Sequence, residues 1–486
     1  MTLLSSIIFF PFAGALLILA LPGKLSRSAF PLAFCFTLLT GVLCLAGLGT
    51  FDSSLTDFQF LEKAPWIPEL GVSYHLGADT LSFPLVLLTA LLFIIACAAS
   101  QNVKIKEKEY FSLILLLETG VMGSFLALDL FLFYVFWEMM LIPMYFLIGI
   151  FGGDNKNRAA LKFFLYTMAG SLLMLFGILA VYFVSSPHTF NVTELLKNEF
   201  KPAFQRMAFL AFFIGFAVKV PVFPFHTWLP DAHVEAPTPV SILLAGILLK
   251  LGAYGFLRFC FPLFPEAAHW FQPLMTILAV TGIVYGGFAA LAQTDLKKMI
   301  AYSSVSHMGF VLLGFSAFNA AGVRGAVLQM ISHGLITSGL FLLAGILYAR
   351  AHTREMGAFG GLARNMPRFA GCLIFFAMAS LGLPGLSGFP GEFLVLLGNH
   401  ASHPWTTAAA CIGILLSAAY LLTMIQKMLW GPLSDHWKTL PDLDVREALP
   451  LIPLVLLILA IGLYPSLLMN LTAASLNGLL PGGGIV

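Results

Sequence analysis

The chain has 486 residues, of which 59 % are hydrophobic and only 10 % charged, and its formal net charge is +2. A soluble domain carries about 45–50 % apolar and about 25 % charged residues. The composition therefore excludes an ordinary soluble protein and places the chain among polytopic membrane proteins. So small a net charge points to neither nucleic acid nor an acidic partner. No basic tail, low-complexity tract or run of coiled-coil heptads is visible.

A membrane-spanning helix needs about 20 consecutive apolar residues, and the chain offers about fourteen such stretches on that criterion. In order they lie near 3–22, 28–50, 80–99, 109–127, 130–151, 159–185, 207–225, 239–261, 269–291, 299–317, 322–350, 368–398, 404–430 and 447–470. The first stretch lacks a basic n-region and a small-x-small cleavage site, so it reads as a membrane span and not as a signal peptide. The prolines and glycines inside several stretches do not demote them, because neighbouring helices can satisfy the freed backbone groups. Thr193–Arg206, with mixed charges and Leu195, Leu196, Phe200 and Phe204, reads as an interfacial helix or a partner contact. The six cysteines are scattered through apolar runs with no CxxC, which argues against an Fe–S site or a disulfide framework.

Orientation follows from the lysines and arginines of the short loops. Fifteen fall in loops after odd-numbered spans and six, among them Arg258 and Arg324, after even-numbered ones. The odd loops are therefore expected on the cytoplasmic side, with both termini opposite.

Four lysines remain within spans: Lys162, Lys219, Lys250 and Lys427. Lys162 and Lys427 lie near span ends, where a long side chain can snorkel to the interface. Lys219 and Lys250 sit deepest, and Glu118, Glu138 and Glu392 are similarly embedded. Each mid-membrane charge costs about 2.5–3.5 kcal/mol on insertion scales, so such groups need partners, water or a function. Lys219 precedes Pro221 and Pro224, which interrupt its span. Pro384 and the glycines up to Glu392 interrupt another span in the second half of the chain. Paired broken spans in two halves point to inverted repeats with ion sites at the bilayer midplane. The expected architecture is an all-α polytopic membrane protein of about 14 transmembrane helices with two inverted five-helix repeats. Its parts are an N-terminal segment 1–108, repeats 109–261 and 269–430, and a C-terminal segment 431–486.

These groups suggest a proton pathway. Burial disfavours a charged lysine and a nearby carboxylate favours it, so moving Glu138 toward or away from Lys219 would make the lysine hold or release its proton. A static salt bridge locking two helices is the plainer reading. Lys250 would receive the proton, a deprotonatable amine being suited to relay work. His307 and His333 lie inside spans and can relay protons near neutrality, or else serve as packing residues. Glu392 is a candidate exit group. Glu118 either shapes the field near Glu138 or, the favoured reading, hydrogen-bonds a neighbouring helix. His226, Asp231 and His233 lack a convincing further ligand for a metal. Asp295, Lys297 and Lys298 read as cytoplasmic-side charges, with a possible helix cap among them.

Several stretches carry a family resemblance. These are Phe136-Trp137-Glu138, the run from Lys219-Val220-Pro221 through His226 to Ser241, the run from Gln293 to His307, and the break Pro384–Glu392. Over essentially its whole length the chain resembles the antiporter-like membrane subunits of proton-pumping NADH:quinone oxidoreductase, respiratory complex I. Sister L- and N-type subunits typically carry lysine where this chain has Glu392 in Gly388-Phe-Pro-Gly-Glu392-Phe393, and the M-type (subunit 4 in mitochondrial naming) carries glutamate. The chain is similar to the M-type in this and in ending without a long lateral helix.

The resemblance implies that Glu138 and Lys219 form the coupled pair, Lys250 the central relay and Glu392 the terminal group. His307 and His333 would lie on a hydrated path between them. It implies no cofactor in this chain: NADH, flavin, iron–sulfur clusters and quinone would belong to partner subunits. The implied partners are the L-like and N-like subunits within the bilayer of a bacterial inner membrane. The same family includes subunits of multisubunit sodium/proton antiporters and membrane-bound hydrogenases, which supply the alternative reading.

Overall fold

A computed structural model describes residues 2–479 of the chain. It is mostly helical, and among the described residues thirteen helices are long and apolar enough to cross a membrane. The stretch anticipated at 368–398 is two shorter helices, Pro367–Leu381 and Gly388–Ser402, separated by a turn. Gly382 ends the first of them in the left-handed region at φ +81°, a conformation glycine adopts without steric cost. The other anticipated break is equally local. Helix Pro202–Lys219 stops at the lysine, turns follow from Val220 to Thr227, and a short helix, Trp228–Glu235, resumes the chain.

The helices differ in how much of each is covered. Leu3–Ala20, Lys156–Val184 and Pro404–Leu429 are only 39 %, 39 % and 44 % buried over their most apolar windows, leaving leucines such as Leu165 and Leu415 outward. Thr238–Leu263, Leu296–Ser316 and Ala320–Ala351 are 100 %, 94 % and 94 % buried. The covered helices are the ones that carry Lys250, His307 and His333.

The chain divides into two compact units. One comprises Met1–Val220, Ile247–Gln272 and Asn470–Val486, the other Pro221–Gly246 and Pro273–Met469. The first contains the only strands among the described residues, an antiparallel hairpin of Gln59–Ile67 and Val72–Ala78 that pairs Lys63 with His75 and Ala64 with Tyr74. The charges and prolines of this region hide any alternation of apolar residues, so the sequence carries no strand signal there. The hairpin has a structural task. The Glu62 carboxylate accepts hydrogen bonds from Leu4 N (2.9 Å) and Ser5 N (3.2 Å), two of the orphan amides at the start of Leu3–Ala20.

Asp129 does similar work at the turn before helix Leu130–Met139. Its Oδ1 accepts from Phe131 N (3.0 Å) and Leu132 N (3.1 Å), capping the helix, and its Oδ2 accepts from Ser73 N (2.9 Å) and Ser73 Oγ (3.0 Å) of the hairpin. Burial pushes the Asp129 carboxyl above its ordinary value, although all these bonds oppose it.

Arg258 does not lie in a loop. It sits inside Thr238–Leu263, 6 % exposed, and pairs with Asp79, 2 % exposed, just ahead of helix Ser82–Ala99. Asp79 also accepts from Ser82 N (2.9 Å) and from Ser475 Oγ (2.8 Å). Burial works against ionisation of Asp79, but the Arg258 guanidinium and these hydrogen bonds outweigh it and hold the carboxyl below its usual range. The anticipated interfacial helix over Thr193–Arg206 is also absent. A single turn, Val192–Leu195, is followed by Pro202, which starts the next span at a position where its missing N–H costs nothing.

In the second unit Asn319 caps the 32-residue helix Ala320–Ala351 by accepting from Gly322 N (2.9 Å). Asp295 caps Leu296–Ser316 through Lys298 N (3.0 Å), as its position suggested, and pairs with Arg354 at 3.0 Å. Lys297 differs from expectation: it is 3 % exposed, and its Nζ donates to the Ala236 carbonyl (3.0 Å). An ammonium can replace water by a main-chain carbonyl at a helix end, so a charge beside a loop need not face solvent.

Candidate functional site

The residues singled out from the sequence fall into two groups, one in each unit. Glu138, Lys219 and Lys250 belong to the first, and His307, His333 and Glu392 to the second.

In the first unit Lys219 is the last residue of its helix and 2 % exposed. Its ammonium lies 5.3 Å from the centre of the Trp137 ring and 5.6 Å from that of Phe163, a distance at which the negative ring face attracts a cation. Glu138, beside Trp137, acts on Lys219 through its charge but does not close to an ion pair within 4.0 Å among the described residues. Its Oε1 has no hydrogen-bond partner among them. The static salt bridge is therefore not what is seen.

Lys250 is fully buried in a short α-helical stretch, Leu249–Gly255. π-Helical turns, Leu244–Leu248 and Phe256–Cys260, flank it. Such turns carry one extra residue per hydrogen-bonded ring and recur at functional sites. Gly252 brings this stretch against the helix of Lys219. A Cβ there would come within 2.7 Å of the Phe216 carbonyl oxygen and 3.1 Å of Lys219 Cβ. Only a residue without a side chain permits that approach.

In the second unit four helices converge on His307, which lies on a fifth. Its Nδ1 is 2.9 Å from Glu392 Oε1, and the two side chains are 2 % and 5 % exposed. Its Nε2 faces the hydroxyls of Ser380 (3.2 Å) and Tyr420 (3.4 Å). A hydroxyl either donates or accepts, so this side tolerates the ring nitrogen with or without a proton. Gln329 completes the cluster, its Nε2 donating to Glu392 Oε1 (3.1 Å). The His333 ring centre lies 5.8 Å from that of His307. Between them opens a cavity of about 10 Å³, lined by both histidines with Gln329, Thr337 and Ser380. It has room for about one water, and its lining supplies the polar partners that a water needs.

The structure thus joins His307 to Glu392, a link that sequence separation hides, and adds Gln329, Ser380 and Tyr420. Only their polar character inside apolar runs could have signalled these three. Glu118 lacks the hydrogen bond favoured for it. It is fully buried, and neither carboxylate oxygen has a hydrogen-bond partner among the described residues. His226 packs against Tyr285 and Phe223, and His233 stacks on Phe341 at 4.5 Å. Among the described residues no group of three or more His, Cys, Asp or Glu could hold a metal.

Two family models match the chain: NADH:quinone oxidoreductase/Mrp antiporter, TM, over residues 127–417, and NADH-ubiquinone oxidoreductase chain 4, amino terminus, over residues 25–129. NADH-quinone oxidoreductase subunit M of Rhodobacter capsulatus is 45 % identical, covering 97 % of this chain and 95 % of its own. The chain belongs to the subunit M family of NADH:quinone oxidoreductase. A chain of respiratory complex I from Thermus thermophilus with bound NADH superimposes with a TM-score of 0.89 at 35 % identity, covering 99 % of this chain and 100 % of that one. A chain of the Mrp complex from Dietzia reaches a TM-score of 0.86 at 23 % identity, over 99 % and 98 %, and shares the fold.

Proposed function

We propose that this chain is a proton-translocating, non-redox subunit in the membrane arm of NADH:quinone oxidoreductase. The observation that carries the reading is the buried His307–Glu392 hydrogen bond, an imidazole and a carboxylate able to exchange a proton inside an apolar helix bundle. Lys219 and Lys250, both buried, supply two amines that can hold and release a proton. Movement of Glu138 relative to Lys219 changes how firmly the lysine keeps its proton. The two broken spans belong to two inverted five-helix repeats, 109–261 and 269–430, each presenting charge near the middle of the bilayer.

NADH, flavin, iron–sulfur clusters and quinone reside in partner subunits, and L-like and N-like subunits flank this one. The chain sits in a bacterial inner membrane with both termini on the periplasmic side, as the lysine and arginine bias of the loops supports.

The test uses Lys219→Ala and Glu138→Ala in the assembled complex, with assembly verified on native gels. Pumping coupled to NADH oxidation is expected to fall by at least tenfold in each. Normal pumping in both variants would sink the proton-pathway reading.

A further inference from the structure

We propose that Gln329 is a positioning residue that selects the protonation state of the His307–Glu392 pair. The proposal rests on the proton-pathway reading and adds a residue to it. Gln329 lies on Ala320–Ala351, 2 % exposed, and its amide nitrogen is 3.1 Å from Glu392 Oε1 and 3.4 Å from His307 Nδ1. The oxygen that receives the amide hydrogen is the one that meets the imidazole.

That placement discriminates between two proton positions. With the proton on His307 Nδ1, Glu392 is ionised, and Oε1 accepts from both the ring and the amide. Hydrogen bonds to the charged form of a group favour that form. If the amide were turned, its carbonyl oxygen would face Oε1, and the two acceptors would repel unless Glu392 carried the proton and donated it. One amide therefore rewards the ionised carboxylate in one orientation and the neutral acid in the other.

The surroundings leave both orientations open. Gln329 Oε1 is buried and has no hydrogen-bond partner among the described residues, so nothing there fixes it. It lies against Gly391, where a Cβ would come within 2.8 Å of it. The bare Cα one residue before Glu392 is what leaves room for the amide.

Few other titratable groups face Glu392. Leu296–Ser316 brings His307, Ala320–Ala351 brings His333 behind it, and Pro404–Leu429 brings Tyr420, whose hydroxyl reaches His307. Pro367–Leu381 contributes the Ser380 hydroxyl and carries Arg368 and Cys372 toward its start, and Leu451–Leu463 carries no titratable residue. The amide is therefore the neutral group best placed to bias the pair.

The experiment measures protons pumped per NADH oxidised, against pH, by the assembled complex in proteoliposomes. Gln329→Met keeps the volume and loses the donor, and the pH of half-maximal pumping is expected to rise by about one unit. Gln329→Glu sets a second carboxyl against Oε1 and is expected to move it further in the same direction. A purely structural role would lower pumping at every pH and leave the midpoint in place. An unmoved midpoint, or one displaced downward, overturns the proposal. If Gln329→Met does not assemble, Gln329→Asn, which withdraws the amide by one methylene, is read by the same criterion. Glu392→Gln separates the two readings. Normal pumping there removes the pathway itself, whereas impaired pumping there with a wild-type midpoint in Gln329→Met removes only the role of Gln329.

Discussion

Replacing Arg258 by methionine strips the partner from a carboxylate that is 2 % exposed. Breaking a buried pair from one side costs about 3–5 kcal/mol, because the remaining charge has neither water nor a counter-charge. The bonds to Asp79 from Ser82 N and Ser475 Oγ survive the change, so the lower half of that range is expected. Removing both charges, as Arg258→Met with Asp79→Leu, should recover most of the loss, and adding the Asp79→Leu single variant completes the cycle that gives the coupling of the pair. The pH dependence has a definite sign. The Asp79 carboxyl is held below its ordinary range, so the stability it contributes is complete above about pH 4 and is lost as pH falls through the depressed value. Without Arg258 burial dominates and the sign reverses, so the deficit of the single variant shrinks on acidification. Cys260, fully buried two residues away, reports the outcome. Its labelling by a maleimide during heating of the assembled complex, read by mass spectrometry, follows opening of this helix end. Equal labelling midpoints for the single and double variants, or a deficit independent of pH, would refute the reasoning.

Gly252→Val should force apart the stretch carrying Lys250 and the helix carrying Lys219, costing about 1–3 kcal/mol as overpacking does; a melting temperature and a pumping rate at wild-type values would count against the close approach. Asp129→Ala removes a helix cap and the tie to Ser73, and should destabilise the assembled complex by about 0.5–2 kcal/mol, measured by thermal melting. Glu392→Lys should insert and assemble but change turnover, because an ammonium cannot accept the hydrogen bonds that His307 and Gln329 offer. Unchanged turnover would argue against a terminal role for Glu392.

The class of the protein was legible in the sequence because a bilayer imposes one dominant rule. Spans must be long and apolar, and a charge left inside them stands out. That logic found Lys219, Lys250, Glu138 and Glu392 without coordinates, and placed the two breaks at Pro221 and Pro384, since proline and glycine act on their own backbone. The same logic misplaced Arg258 and Lys297, whose charges looked like loop charges by position. What holds them, Asp79 and the Ala236 carbonyl, comes from 179 and 61 residues away along the chain.

The tertiary structure decided which groups meet. Sequence spacing relates residues only within one helix, whereas His307, Gln329, Ser380, Glu392 and Tyr420 sit on five different ones. Their hydrogen bonds are side-chain contacts between helices, set by which faces pack and where a glycine lets two backbones approach. The sequence alone determined that charge is buried and roughly where. Packing determined that Glu392 meets an imidazole and an amide, and that Glu138 stands near Lys219 without pairing to it.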